Sequence, residues 1–213
     1  MRKHLQIHNA LSHGTLSVPW LTLTVSMVTA IIFFLGHGLF QAWVFDHDLI
    51  CQGQVWRLLS GHFVHCTFEH LFWDIVGLII LGAVIEVHDR RQVMPALLMS
   101  CAGVSLWLLS DQAPFARYCG LSGALNGLLV VAVVLHYRET KNRIYLLAIV
   151  LTVIKMIFEF TTHQTIFTDL AAQSMPGAHA AGFISGLCYI AGWRWLNTFS
   201  RTPAVDHTTR SVV

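Results

Sequence analysis

The sequence predicts an all-α membrane protein: six transmembrane helices in one bundle, with both termini cytoplasmic. Three observations predict it. The 213 residues are 55% hydrophobic and only 11% charged, where a soluble domain carries about 25% charged residues. Mean hydropathy is +0.61, and the apolar residues gather into six runs, enough at roughly 20 residues per span to use nearly the whole length. The basic residues sit in alternate connections between these runs, as topology signals do. Six spans with short loops use nearly the whole chain, so a sizeable soluble domain is excluded. The net charge of +2 gives no reason to expect a nucleic-acid partner.

Residues 1–17 form a polar cytoplasmic segment with Arg2 and Lys3. They lack the apolar core and cleavage site of a signal peptide directly after the basic residues. The first span is 18–36. Residues 37–69 are too polar for lipid and too rich in Trp and Phe for a loose linker, so an irregular loop packed on the outer surface is expected there. The second span, 70–87, carries His70 and Asp74 in its first turns. The third is 93–109, the fourth 121–135, the fifth 144–160 and the sixth 177–196. The helix domain is thus 18–196, and 197–213 is a polar cytoplasmic tail. Ten of the thirteen Lys and Arg residues fall on one side of this arrangement: Arg2, Lys3, Arg90, Arg91, Arg138, Lys141, Arg143, Arg194, Arg201 and Arg210. Only Arg57 and Arg117 fall on the other, and Lys155 lies within the fifth span. The starts of spans four and six therefore face outward.

Two polar residues stand at those starts. Ser122 opens span four in Gly120-Leu121-Ser122-Gly123, and His179 opens span six in Gly177-Ala178-His179-Ala180-Ala181-Gly182. Gly182 and Gly186 lie three and seven residues after His179, on its helical face. Span four has its own small pair, Gly123 and Gly127. Small residues at this spacing let helix backbones approach closely in lipid, as a serine and a neutral imidazole must to share a hydrogen bond of about 2.6–3.2 Å. The bland readings are a serine flanked by glycines as helix-packing glue and an intramembrane histidine as a satisfied polar group. Both at one depth, each with a glycine stripe, favour a nucleophile and its base.

Gly120-Leu121-Ser122-Gly123 together with Ala178-His179-Ala180-Ala181-Gly182 resembles the rhomboid intramembrane serine proteases. Trp56-Arg57 resembles the family's outer-loop element. His65, His70 and a polar residue at 74 resemble its second-span motif, and Glu86 fits a recurring position near the inner end of that span. The resemblance covers about residues 50–195. It implies the six-helix rhomboid bundle and a catalytic dyad of Ser122 and His179 with no third acid. It also implies an oxyanion site supported by His70, residue 74 and the backbone at Leu121 and Ser122. Span five and the loop 161–176 would form a lateral gate and cap. No cofactor is implied. The expected partners are the lipid bilayer and a membrane-anchored protein substrate.

One position departs from the family pattern: Asp74 stands where Asn is usual. An ionised Asp would repel an oxyanion that Asn would donate to. The expectation is a protonated Asp74 that donates as Asn does; the alternatives are a carboxylate orienting His70 and a side chain that only lines a wet cavity. Cys66 and Cys119 border the pocket that the resemblance implies for the residue before the scissile bond. A Cys66–Cys119 disulfide is the preferred pairing, ahead of Cys51–Cys119 and of three free thiols. The compact chain, its 56–65 stretch and its 120–127 run are similar to the rhombosortase branch. That branch implies substrates with a Gly-Gly motif, an apolar span and a basic tail at the C-terminus, processed at the outer face of a bacterial inner membrane. Lys155 and Glu159, four apart on span five, read as an intrahelical pair. His62, His65 and His70 are metal-ligand types, but no carboxylate or cysteine set completes a site along the sequence, and no metal is expected. The competing readings are a rhomboid protease of other membrane proteins, a proteolytically silent client-binding relative and a small transporter. A transporter would place its polar residues at the midplane.

Overall fold

Polar side chains cap two of the long helices, one of them from a neighbouring helix. The computed structural model of the protein describes residues 18–113, 116–162 and 175–199. Helix α1 (Trp20–Phe34) starts after Pro19, which offers no side-chain cap. Glu86 caps it from another helix, accepting from the backbone N–H groups of Leu21 (2.9 Å) and Thr22 (2.8 Å) and from the Thr22 hydroxyl (2.8 Å). A carboxylate at a helix N-terminus satisfies orphan donors and meets the positive end of the dipole. The buried face of α1 is Thr22, Ser26, Thr29 and Ile32, spaced for a helix.

The stretch 37–69, expected to be irregular, is instead built from short elements. Helix α2 (His37–Trp43) leads to strand β1 (Phe45–Asp46), helix α3 (His47–Cys51), helix α4 (Arg57–Ser60) and a 3-10 turn at Gly61–Phe63. Arg57 organises them. Its Nη1 donates to the carbonyls of Gln41 (3.0 Å) and Val44 (2.7 Å), and its Nε donates to Gln54 Oε1 (2.8 Å). A planar guanidinium presents several fixed donors, so one buried side chain closes several backbone turns. No period-2 pattern marks β1, because a two-residue strand is too short to carry one.

Helix α5 (Phe68–Asp89) is capped by Thr67, whose hydroxyl accepts from His70 N–H at 3.1 Å. A 3-10 turn at Arg90–Gln92 leads into α6 (Val93–Leu108). Strand β2 (Arg117–Tyr118) then pairs antiparallel with β1, Phe45 opposite Tyr118 and Asp46 opposite Arg117. Helix α7 (Ser122–Thr140) ends at Lys141, which takes a left-handed φ of 56°. Helix α8 (Ile144–Thr162) and helix α9 (Pro176–Phe199) follow. Pro176 suits a first helical position, where its missing N–H costs nothing. Helix α9 runs three residues past the expected end of the sixth span, and α7 runs to 140 rather than 135. The expected N-terminal segment 1–17, most of the cap 161–176 and the tail from 200 onward lie outside the described residues.

Helix α7 is the centre. It packs against α5, α6, α8 and α9, most extensively against α9. Its Ala124, Leu128, Val131 and Leu135 join Leu78, Ile85 and Leu97 in the main core cluster. Helix α8 is peripheral. Only Thr152, Met156 and Glu159 are buried on it, while Leu147, Val150, Ile154 and Ile157 are exposed. An apolar helix with one narrow buried stripe suits a lipid surround. Among the described residues, Phe68–Leu108 and Ile144–Thr162 are long and apolar enough to cross a membrane, with mean hydropathy 1.9 and 2.1. Trp20–Phe34 with His37–Trp43 also qualifies as a pair bent by 113°. The chain is an integral membrane protein by these segments.

The two glycine stripes meet. A methyl group added to Gly182 would collide with the Gly123 carbonyl oxygen, and one added to Gly186 with the Gly127 carbonyl oxygen. These are backbone atoms, which no side-chain rotation clears. Gly182→Ala is therefore expected to push α9 off α7, costing about 1–3 kcal/mol, as overpacking does. Thermal unfolding in detergent checks this against Gly192→Ala, whose added methyl meets nothing within 4 Å. The expectation is a lowered Tm for the first variant and an unchanged or raised Tm for the second.

Candidate active site

Gly120 sets the entry to α7. Its φ of +102° lies in the left-handed region, and a Cβ there would run into the His70 ring and approach Asp74 Oδ2 at 3.1 Å. Only glycine lets the backbone turn here while His70 and Asp74 lie against it. The turn places Ser122 as the first residue of α7, with Leu121 as its N-cap. His179 lies in the first turn of α9. The glycine contact between the two helices brings Ser122 Oγ and His179 Nε2 to 3.1 Å. His179 is buried and Ser122 half-buried.

The opposite nitrogen of the same imidazole has a partner the sequence did not suggest. His179 Nδ1 lies 2.8 Å from Glu159 Oε2. Glu159 is fully buried, and its other oxygen accepts from Lys155 Nζ at 2.5 Å. The resemblance implied no third acid, yet a carboxylate stands behind the histidine, near the C-terminal end of α8. The Lys155–Glu159 pair expected from spacing is present. It hid the second contact, because an i,i+4 salt bridge already accounts for both residues on one helix.

Across the serine, Asp74 is also buried. Its Oδ2 accepts from Leu121 N–H at 2.7 Å and faces His65 Nε2 at 2.9 Å and His70 Nε2 at 3.4 Å. Toward the Leu121 amide this oxygen is an acceptor. This geometry favours the orienting alternative over the expected protonated donor. The amide of Leu121 is engaged by Asp74 and is not open to an oxyanion. His70 is held between Asp74 and Cys66, whose Sγ lies 3.6 Å from Nδ1. Gly123 N–H donates to Tyr118 Oη at 3.3 Å. The amide of Ser122 remains a first-turn donor with no intrahelical acceptor.

His62 belongs to the scaffold. Its Nε2 lies 2.9 Å from Ser105 Oγ, and the Ser105 hydroxyl donates to Leu58 O at 2.5 Å. The hydroxyl therefore accepts from His62 Nε2–H. Burial pushes the His62 imidazole down to about 4, so it stays neutral.

All five cysteines are thiols in the structure. Cys66, His70 and Cys119 form a cluster whose ligand-type atoms lie within 4.8 Å of one another, as do those of His65, His70 and Asp74. Such sets are what the sequence spacing did not reveal, because Cys119 arrives from the turn before α7. The second set is already engaged in internal hydrogen bonds. In the first, a hydrogen bond from Cys119, and then one from His70, hold the Cys66 thiol well below its ordinary value. The same bond and burial push Cys119 up. Cys66 is exposed and Cys119 half-buried; Cys51 belongs to neither cluster.

The Rhomboid domain profile matches residues 52–195, a stretch that holds Ser122, His179, Glu159, Asp74 and both clustered cysteines. Rhomboid-related protein 1 of Caenorhabditis elegans is 25% identical over 142 residues, 65% of this chain and 40% of that protein. The chain thus matches less than half the length of that relative. With the profile spanning most of its length, the chain belongs to the rhomboid family.

Proposed function

We propose that the protein is an intramembrane serine endopeptidase, with Ser122 as nucleophile and His179 as general base. The observation that carries this reading is the 3.1 Å approach of Ser122 Oγ to His179 Nε2 at the mouth of two helices. In the acylation step Ser122 Oγ attacks a substrate carbonyl as its proton passes to His179 Nε2. The leaving amine takes that proton as the scissile bond breaks. Water or another nucleophile then resolves the acyl-enzyme. The Ser122 amide is the candidate oxyanion donor, and the Asp74–His65–His70 cluster fixes the Leu121 backbone beside it.

The finer reading is of the rhombosortase type: a six-span bundle, both termini cytoplasmic, active site toward the periplasm of a bacterial inner membrane. The basic residues Arg90, Arg91, Arg138, Lys141 and Arg143 lie at the helix ends away from Ser122, which supports that orientation. Its substrates would end in a Gly-Gly motif, an apolar span and a basic tail. Cys66 and Cys119, side by side near the serine, would close to a disulfide when a periplasmic disulfide oxidant takes up the two electrons and two protons released. The bond would narrow the approach toward Gly or Ala.

Co-expression with a tagged Gly-Gly-tail substrate tests the main reading. Wild type is expected to shorten the substrate and Ser122→Ala to leave it intact; equal processing by both would reject a serine peptidase and favour a silent client-binding protein. For Asp74, the acceptor geometry predicts that Asp74→Asn lowers kcat by about tenfold or more, because an unmet buried donor costs about 1–3 kcal/mol. Unaltered kcat in that variant would return the residue to a neutral donor role. For the thiols, peptide mapping of periplasm-exposed enzyme without reductant is expected to recover a linked Cys66–Cys119 peptide. Cys119 recovered as a free thiol in active enzyme would exclude the bond.

A further inference from the structure

We infer that Glu159 is a positioning residue for His179, so that the chain works with a Ser122–His179–Glu159 triad. This rests on the serine-peptidase reading and goes beyond its two-residue form. Three helices contribute to one line of atoms: Glu159 Oε2 from α8, 2.8 Å from His179 Nδ1, and His179 Nε2 from α9, 3.1 Å from Ser122 Oγ on α7. The chemistry of the line fixes its protons. A carboxylate accepts only, so Nδ1 carries the hydrogen and Nε2 presents a lone pair to the serine hydroxyl. That is the tautomer a general base needs, and among the described residues Glu159 is the group placed to select it.

Burial gives an independent argument. Glu159 is fully buried on an otherwise lipid-facing helix. A carboxylate in such a place is costly unless paired. Lys155 Nζ supplies one partner at Oε1 and leaves Oε2 to the imidazole. The Lys155–Glu159 pair is neutral in sum, so the site carries no bare anion at rest. When His179 takes the serine proton, the new positive charge forms beside Glu159 Oε2. A solvated surface pair would need no second partner. This one has its second partner on the base itself.

A fluorophosphonate probe, which phosphonylates an activated serine Oγ and releases fluoride, reads nucleophile activation without a known substrate. The full chain would be labelled in detergent as wild type, Ser122→Ala, Glu159→Gln, Glu159→Asp, His179→Ala and the Glu159→Gln–His179→Ala double variant, with thermal unfolding in parallel. Labelling of wild type and none of Ser122→Ala establishes the parent reading; equal labelling of both removes it and the triad with it. Given that, Glu159→Gln is expected to slow labelling by about 10²–10⁴-fold, as loss of a triad acid does. Glu159→Asp should restore part of the rate, and the Gln change should cost nothing further once His179 is Ala. Wild-type rates in Glu159→Gln overturn the inference. So does an equal loss on the His179→Ala background, which marks a structural role. Should Glu159→Gln unfold, Lys155→Met–Glu159→Gln removes the stranded ammonium and is read by the same criteria.

Discussion

The contact of bare backbone between α7 and α9 is the constraint on which the site depends. Gly182 rests on the Gly123 carbonyl and Gly186 on that of Gly127. Inside a bilayer there is little hydrophobic drive to bring two helices together, so close van der Waals packing must do so. The same contact fixes depth. Ser122 precedes Gly123 by one residue and His179 precedes Gly182 by three, so any register that seats the glycines also faces the hydroxyl toward the imidazole. Folding and assembly of the reactive pair are in this sense one event.

The scaffold around that contact is held by polar groups satisfied across long sequence separations. Glu86 caps α1, Arg57 ties α2 and α4 to the chain before β1, and Asp74 clamps the Leu121 amide. In a low-dielectric surround each is strong when complete and costly when broken. Two carboxylates flank the serine and are balanced differently. Asp74 is surrounded by a backbone amide and two imidazoles, whereas Glu159 has an ammonium on one oxygen and the His179 imidazole on the other. One fixes the backbone beside Ser122 and the other faces His179.

What the sequence made legible followed from periodicity and local spacing. The six apolar runs, the helix starts near 93, 144 and 177, the glycine stripes and the Ser122–His179 pair all rest on rules that act within a few turns. Glu159 was missed because its nearest partner, Lys155, explained it locally, while His179 is reached only after α8 and α9 are docked. Asp74 was only partly legible for a similar reason. Substitution of Asp for Asn suggests a change of protonation, but the Leu121 amide that gives the oxygen an acceptor's role comes from 47 residues away. The short β1–β2 pair and the Cys66–Cys119 approach depend on the turn before α7, which no periodicity announces.

Helix α8 touches the rest of the molecule along one thin seam, Thr152, Met156 and Glu159. The seam ends on the imidazole. A helix so lightly fastened can swing outward at little cost in buried area, and any swing at that end withdraws Glu159 from His179. Were α8 displaced outward at that end, Glu159 would leave His179, so separation along this seam and the carboxylate–imidazole contact exclude one another.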